Sequence, residues 1–320
     1  MSGYSVEQYA GMLADPYRRE AFCRSMQSAI GPDTVVLDLG AGTGILSLLA
    51  CRYGARRVYA IEPNPAIRLL PDCARDNGYG DRIISYCEDS QQVDLPEQVD
   101  LIIADLRGTL PVLGGAWSAL VDACSRFLKP GGKVLPARDQ VYLAPVSEPL
   151  ELERQAALWR ADDLGVDLRR MADFRRGVVR RSSARAGDLI ATEQRWARID
   201  YLPEPHLDSV AELQFVAERD AQLDGFLIWF DLDFDDDVRL SNHPNLPNLV
   251  YGRSIFSLSR SVAVSAGDQI VLRLKLITGQ ANTWVWSGCI RSATGLERSR
   301  FKDSTLKASM LTLAASNGPS

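Results

Sequence analysis

The pattern of hydrophobic and polar positions changes near Pro136. Before it, short apolar runs alternate with longer segments in which apolar residues recur at helical spacing. Strands are predicted at 34–39, 57–62, 83–87, 99–105 and from 133, with helices at about 44–53, 65–77 and 116–128. Such alternation predicts a parallel, doubly wound sheet. A helical pattern over 4–30, broken or restarted at Pro16, precedes it.

After Pro136 the chain consists mainly of short alternating or β-branched runs separated by Gly, Pro, Asp and Asn. The clearest runs are 140–145, 196–202, 211–218, 225–234, 253–264 and 269–277, and a helical pattern covers about 150–175. We therefore predict an antiparallel β sandwich or barrel with a helical insertion. The five residues 316–320 are expected to be disordered.

Composition excludes several classes of protein. The 320 residues carry a net charge of −5, which argues against a nucleic-acid binder. The six cysteines are scattered and there are two histidines, so neither a disulfide framework nor a histidine-rich metal site is expected. No apolar run is long enough to span a membrane, and the first residues do not resemble a signal peptide, so a cytoplasmic protein is expected.

Charge is unevenly distributed in the second half of the chain. Residues 169–185 carry seven arginines, and 231–237 carry five aspartates. A solvated face or a subunit contact is the favoured interpretation, and a basic arm that grips an acidic partner is the alternative.

A glycine-rich turn is the most informative motif. Residues 35–44 read Val-Val-Leu-Asp-Leu-Gly-Ala-Gly-Thr-Gly, and a helical pattern starts at Ile45. The glycines permit positive φ and a close approach of backbone to a ligand, which the free N–H groups of the next helix would also face. In a dinucleotide fingerprint the third glycine would occupy position 45, so this turn departs from that motif.

The turn resembles motif I of the class I S-adenosylmethionine methyltransferases. The resemblance implies S-adenosylmethionine as cofactor and S-adenosylhomocysteine as product. Glu62, at the end of the second strand, is the expected acceptor for the ribose hydroxyls. The full predicted cofactor set is Met12, Arg18, Asp38, Gly40, Gly42, Thr43, Gly44, Ile45, Leu46, Glu62, Pro63, Asp89, Ser90 and Asp105.

Within that class, the chain resembles the protein arginine methyltransferases. The resemblance rests on Met12-Leu13-x-Asp15-x-x-Arg18, on 35–49 and 130–135, and on 225–267 with its Leu240-Ser241-Asn242-His243-Pro244 segment. It implies that Arg18 pairs with the cofactor's carboxylate and that Met12 packs near the sulfonium. It also implies a β-barrel after the cofactor domain, with a helical dimerisation arm at about 151–183. We predict covering helices at 1–30, a Rossmann-like domain at 31–136, a barrel domain at 137–320, and a homodimer.

The family's arginine-binding residues are altered. Of its two glutamates on the loop after the fourth strand, Asp105 stands for the first and Gly114 for the second, and Arg107 adds a positive charge. The family's Thr-His-Trp segment is Leu249-Val250-Tyr251, and its histidine on the first helix is Tyr9. Bacterial relatives with the same Asp-Leu-Arg-Gly loop resemble small-molecule methyltransferases, including some that alkylate indoles.

These departures favour a small molecule as the methyl acceptor. The leading expectation is the indole ring of a tryptophan-derived secondary metabolite. Protein arginine methylation is the alternative, and an inactive scaffold that binds a protein partner is a further one. The candidate catalytic residues are Asp105, Tyr9, Tyr251, His243 and Arg107, without a metal. Asp105 could orient an acceptor N–H and take its proton, or it could simply pair with Arg107. Trp284 and Trp286 are expected in the barrel core.

Overall fold

The computed structural model describes residues 4–110, 116–160, 165–173, 176–202, 210–277 and 283–306. Two helices come first, α1 (Val6–Ala14) and α2 (Pro16–Ala29). They are separated at Asp15, whose carboxylate accepts from the backbone N–H groups of Tyr17 and Arg18 and so caps α2. Pro16 is the first residue of α2, where its missing N–H costs nothing, so the predicted break at Pro16 is a helix start.

A five-stranded parallel sheet follows. Its strands are β1 (Val35–Leu39), β2 (Arg57–Ile61), β3 (Ile83–Tyr86), β4 (Val99–Ala104) and β5 (Leu128–Leu135). Its helices are α3 (Ile45–Arg52), α4 (Leu70–Asp76) and α5 (Ala116–Phe127). The spatial order β3-β2-β1-β4-β5 confirms the predicted doubly wound fold.

The strand order reverses between β1 and β4, and this position determines where a ligand can bind. Leu39 pairs with Ile61 on one side and with Ala104 on the other. The next residue of each strand, Gly40, Glu62 and Asp105 respectively, therefore emerges at the same carboxyl edge of the sheet. Ligands of doubly wound folds bind at this edge, in the crevice at such a switch point.

The rest of the chain forms two antiparallel sheets. The first has β6 (Arg138–Val146), β7 (Val179–Ser182), β8 (Gln194–Asp200), β10 (Ala221–Asp233), β11 (Arg239–Ser241) and β12 (Arg253–Val264), in the order β7-β12-β10-β6-β8 with β11 beside β10. The second has β9 (Val210–Val216), β13 (Gln269–Ile277), β14 (Thr283–Arg291) and β15 (Glu297–Ser304), in the order β15-β14-β13-β9. This confirms the predicted antiparallel second part of the fold.

Aromatic side chains fill the space between the two antiparallel sheets. Phe256 of β12 contacts Trp284 and Trp286 of β14, with ring centroids 5.6 and 5.2 Å apart. Both tryptophans are fully buried, as predicted, and the Trp286 indole N–H donates to the Ser257 carbonyl at 3.0 Å. The sheets are thus held by apolar burial with a polar atom satisfied inside.

Strands β7, β11, β14 and β15 had no separate prediction. β7 and β15 are rich in charged residues, so their apolar alternation is weak, and β11 has only three residues. β14 contains Gly288, which faces the Val271 carbonyl so closely that a Cβ would lie 1.8 Å from that oxygen. A glycine inside a strand pattern weakens the strand signal.

The predicted helical insertion is interrupted within the described residues, because 165–168 are not helical. It contains α6 (Pro149–Ala157) and α7 (Arg169–Asp173), and residues 316–320 lie outside the described part of the chain. Within the described residues, the helices are all too short or too polar to cross a membrane. The described His, Cys, Asp and Glu side chains form no group of three or more suited to a metal ion.

Candidate active site

A cavity of about 450 Å³ lies at the switch point of the parallel sheet. It is bounded by α1 and the start of α2 on one side and by the carboxyl ends of β1, β2 and β4 on the other. Its lining includes eleven of the predicted site residues: Tyr9, Met12, Arg18, Gly40, Gly42, Thr43, Ile45, Leu46, Glu62, Asp105 and Tyr251. The sequence-based set therefore largely converges on one place.

The glycine turn has the backbone that its sequence predicts. Gly40, Gly42 and Gly44 have φ values of 73°, 58° and 83°, which residues with a Cβ rarely adopt. A Cβ on Gly42 would lie 2.5 Å from Cε1 of Tyr9, so the aromatic ring lies directly on the glycine. Gly44 is the N-cap of α3 rather than a wall of the cavity.

Glu62 is fixed by backbone donors. Its Oε2 accepts from the Gly42 N–H at 3.0 Å, and its Oε1 accepts from the Asn64 N–H at 2.7 Å. The side chain is half-buried in the cavity wall. A carboxylate held in this way is oriented before a ligand arrives, which suits an acceptor for two vicinal hydroxyls.

Asp38 is buried in β1 and does not line the cavity. Its Oδ2 accepts from the Ser47 hydroxyl at 2.6 Å, which ties β1 to α3. Burial raises the pKa of Asp38 to about 6, although the Ser47 hydrogen bond opposes the shift. Its predicted role in cofactor binding is therefore indirect at most in this geometry, because it positions α3.

Three predicted cofactor residues near the ends of β2 and β3, Pro63, Asp89 and Ser90, lie outside the cavity lining. Pro63 is exposed, and Asp89 caps a short 3₁₀ helix by accepting from the Gln91 N–H at 3.0 Å. Ser90 is buried, and its carbonyl accepts from Arg126 at 2.7 Å. Their contact with the cofactor stays a prediction.

Asp105 is the most heavily contacted acid of the cavity. Arg18 donates to its Oδ2 through Nε at 2.7 Å and places Nη2 2.6 Å from the same oxygen. The Tyr251 hydroxyl lies 2.9 and 3.0 Å from the two carboxylate oxygens. Burial would raise the pKa of Asp105, but the cations Arg18 and Arg107 outweigh it and hold that pKa below its ordinary value. Asp105 is thus an anion throughout the neutral range.

Arg107 does not line the cavity, contrary to the expectation that it would oppose an acceptor. Its side chain is 3% exposed and runs beneath Asp105 toward β6. Nη1 lies 3.2 Å from Asp105 Oδ1, and Nη2 lies 3.4 Å from Asp139 Oδ2. The Tyr201 hydroxyl donates to the same Asp139 oxygen. The positive charge of Arg107 is therefore matched by a buried carboxylate behind the cavity.

Of the remaining catalytic candidates, Tyr9 lies in the cavity lining and His243 lies outside it. Tyr9 lines the cavity, and burial together with the charge of Glu62 raises its pKa to about 12, which makes it a poor base. His243 lies outside the cavity lining: its ring packs edge-on against Trp229 at 5.3 Å, and its Nε2 lies 3.8 Å from Glu193. His243 as a base has no support in this geometry. Gly114 lies outside the described residues.

Among the residues that sequence reasoning missed, four contribute charge or hydrogen bonds that shape the site. Asp15 accepts from the Val250 N–H at 2.7 Å, which ties the first helices to the loop that carries Tyr251. Arg181 of β7 lines the rim of the cavity. Asp139 and Tyr201 hold Arg107 from behind. A charged residue next to a predicted buried strand was the available signal for Asp139, but its partner cannot be inferred from local sequence.

Comparisons with known proteins agree with the fold. Residues 18–122 match the family model described as the TRM5/TYW2 methyltransferase domain. A probable histone-arginine methyltransferase CARM1 from Oryza sativa subsp. indica is 31% identical over 267 residues, which cover 78% of this chain and 50% of that protein. Protein arginine N-methyltransferase 6 from Xenopus tropicalis is 27% identical over 281 residues, which cover 83% of this chain and 82% of that protein.

Solved structures show the same architecture. Protein arginine methyltransferase 10 from Arabidopsis thaliana superimposes with a TM-score of 0.79 at 21% identity, covering 94% of this chain and 97% of that one. The Trypanosoma brucei PRMT1 enzyme-prozyme complex, determined with AdoHcy, superimposes with a TM-score of 0.79 at 19% identity. The match covers 95% of this chain and 98% of that one. The fold prediction is therefore confirmed along nearly the whole chain.

The comparisons also correct the predicted function. The relatives that match are named as arginine methyltransferases, so the expected indole or other small-molecule acceptor is wrong, and the alternative is the better interpretation. The physical argument for the small molecule failed at Arg107, which is neutralised by Asp139 instead of facing the acceptor. The chain spans about half the length of several of these relatives, 50% for the rice protein. By sequence and fold together, the chain is a class I S-adenosylmethionine-dependent methyltransferase of the protein arginine methyltransferase family.

Proposed function

We propose that this protein transfers a methyl group from S-adenosylmethionine to a guanidinium nitrogen of arginine in a protein substrate. The observation that carries the proposal is the position of the Asp105 carboxylate. It projects from the end of β4 into the same cavity as Glu62 and the glycine turn. An acid at this place can bind a guanidinium next to a cofactor held at the turn.

The residues of the cavity fit the cofactor. Gly40 and Gly42 present backbone with positive φ to the cavity, and the Glu62 carboxylate is preoriented for ribose hydroxyls. The Arg18 guanidinium suits the carboxylate of the methionine moiety, because Arg–carboxylate pairs form charge-assisted hydrogen bonds. When bound, the cofactor supplies an electrophilic methyl group on a sulfonium.

Charge balance supports a cationic acceptor. The buried groups Arg107 and Asp139 cancel, which leaves the Arg18–Asp105 pair facing the cavity. A cofactor carboxylate at Arg18 and an acceptor guanidinium at Asp105 would each replace one half of that pair. Each of these two new ion pairs is neutral by itself, which favours its burial in a desolvated site.

Asp105 and Tyr251 would orient the acceptor. A carboxylate that accepts from two guanidinium N–H groups holds the third nitrogen in a fixed direction, and alignment is the main requirement of an in-line displacement. In the transfer, the nitrogen–carbon bond forms as the carbon–sulfur bond breaks, and the guanidinium loses one proton. Asp105 is the nearest ionised carboxylate to take that proton and pass it to water.

Transfer to matched peptides tests the proposal. The protein is incubated with methyl-labelled cofactor and a Gly-Arg-rich peptide, its lysine-substituted twin, and free tryptophan. Label in the arginine peptide alone is expected. Label in tryptophan or in the lysine twin, with none in the arginine peptide, would overturn the proposed acceptor.

We also propose that the protein assembles as a homodimer through the arm 149–173. Large apolar side chains on the described part of the arm face solvent, with Leu150 and Leu158 80% and 68% exposed. Exposed apolar side chains gathered on one projecting segment favour burial against a second copy. Sedimentation at micromolar concentration should give twice the chain mass, and Leu150→Glu with Leu158→Glu should give the monomer. A monomeric unsubstituted protein would contradict the assembly.

A further inference from the structure

We propose that Arg107, Asp139 and Tyr201 form a positioning unit that fixes the Asp105 carboxylate and shields the acceptor from the charge of Arg107. The proposal rests on the proposed function for the acceptor, but its first test needs no acceptor. None of the three residues lines the cavity itself, and Arg107 contacts the lining residue Asp105, so they act through Asp105.

Burial is the first argument. The side chains of Arg107 and Asp139 are 3% and 0% exposed. Ionised groups are costly to bury, and a buried ion pair is weak evidence for a purely stabilising role. Here the pair contacts the Asp105 carboxylate, which lines the cavity and, under the proposed function, needs a fixed charge and position.

Geometry is the second argument. The Arg107 guanidinium spans two acids: Nη1 is 3.2 Å from Asp105, and Nε and Nη2 are each 3.4 Å from Asp139. Nη1 also donates to the Ala104 carbonyl at 3.2 Å. Arg107 is thus clamped to the end of β4 and to β6 at once, and it holds one oxygen of Asp105 from below.

Incomplete hydrogen bonding is the third argument. Arg107 Nε and Asp139 Oδ1 lie close enough to attract, yet neither forms a hydrogen bond within the described residues. A pair optimised for stability would use both atoms. The guanidinium is turned instead toward the Asp105 side.

The Asp105 carboxylate faces charges from several elements. Arg18 approaches from α2, Arg107 from the loop after β4, and the Tyr251 hydroxyl from the loop before β12. Asp139 of β6 lies behind Arg107, and Tyr201 follows β8. Removing the Arg107 cation takes away one of the two positive charges that keep Asp105 ionised.

The first test observes Asp105 directly. Carbon-13 NMR of protein labelled at aspartate carboxyl carbons, with the Asp105 signal identified by its loss in Asp105→Asn, gives the pH titration of that group. Arg107→Met should raise the pKa of Asp105 by about one unit, since an opposite charge at this distance lowers a carboxyl pKa by about 1–3 units. Arg107→Lys should give a smaller shift.

Arg138→Met is the matched control. Arg138 adjoins Asp139 on β6, but it pairs with Asp200 and Asp233 outside the cavity. It should leave the Asp105 titration unchanged. The same titration in Arg107→Met as in the unsubstituted protein would overturn the positioning unit.

Asp139→Asn provides the second test and keeps Arg107 in place. With its counter-charge removed, Arg107 should repel a cationic peptide, so KM for the arginine peptide should rise about tenfold while kcat changes less. Asp139→Asn should also lower the pKa of Asp105 further, because it removes a negative charge behind Arg107. Unchanged KM and an unchanged Asp105 titration in a folded Asp139→Asn protein would contradict the proposal.

The two proposals fail separately. A shifted Asp105 titration without transfer to any arginine peptide would reject the acceptor and keep the positioning unit. Transfer to arginine with an unshifted Asp105 titration in every variant would reject the positioning unit and keep the acceptor.

Discussion

Arg18 and Asp105 form an ion pair across the candidate active site, with Arg18 Nη2 2.6 Å from Asp105 Oδ2. The two residues lie 87 positions apart in the chain and come from α2 and the end of β4. One is suited to the cofactor's carboxylate and the other to an acceptor guanidinium, so the pair links the two binding events.

Asp105→Asn should separate these events. Methyl transfer should fall by at least about a hundredfold, because the carboxylate that orients the acceptor is lost. S-adenosylhomocysteine should bind equally or more tightly, since Arg18 no longer has a competing partner. Calorimetry with S-adenosylhomocysteine checks the second part, and clearly weaker binding of the product would contradict this linkage.

Glu62→Ala should weaken binding of S-adenosylmethionine by roughly ten- to a hundredfold, the value of hydrogen bonds to a charged acceptor. Glu20→Ala, on the exposed face of α2, is the matched control and should bind normally. Equal affinities of the two variants in calorimetry would mean that Glu62 does not hold the ribose.

Gly42→Ala should reduce cofactor binding through both strain and crowding. The residue has φ +58°, and its new Cβ would lie 2.5 Å from the Tyr9 ring. Gly78→Ala shares the strain, at φ +74°, but meets no atom within 4 Å. Gly78→Ala should lose about 1 kcal/mol of unfolding free energy and Gly42→Ala at least as much, while only Gly42→Ala should lose affinity. Equal affinities would show that the turn does not contact the cofactor.

Asp38 should make stability depend on pH in the acid range. Its pKa rises from 3.8 to about 6 on folding, so between these values the folded state binds more protons than the unfolded state. The contribution of Asp38 to unfolding free energy therefore falls as pH rises through this window, by about 3 kcal/mol, and is constant above it.

Asp38→Asn keeps an oxygen for the Ser47 hydroxyl and removes the titration. The difference in unfolding free energy between the unsubstituted protein and the variant, measured by urea denaturation from pH 4 to 7.5, should change by about 2 kcal/mol, the part of the effect that falls within this range. A constant difference would show that Asp38 has an ordinary pKa.

Short sequence patterns were sufficient to predict the parts of the site that depend on local backbone conformation. The glycine turn and the end of β2 were placed correctly because backbone conformation and strand ends follow from short patterns. Arg18 was assigned to the site through the family resemblance and lies in the cavity lining, but its partner Asp105 was not foreseen as such.

Contacts between side chains far apart in the chain could not be predicted from the sequence. Arg107 was expected to face the acceptor because its loop does, but its side chain turns to Asp139 on β6. His243 sits in a segment that resembles the family's barrel loop, yet packing against Trp229 turns it away from the cavity. Neither direction is encoded within a few residues of the side chain concerned.

The identity of the methylated atom tests the central claim most directly. A Gly-Arg-rich peptide is incubated with the protein and methyl-labelled S-adenosylmethionine, hydrolysed in acid, and separated into amino acids, with Asp105→Asn as the parallel reaction. We expect label in N-methylarginine with the unsubstituted protein and none with the variant. Label absent from N-methylarginine, in a preparation that binds S-adenosylhomocysteine, would contradict the assignment of arginine as the acceptor.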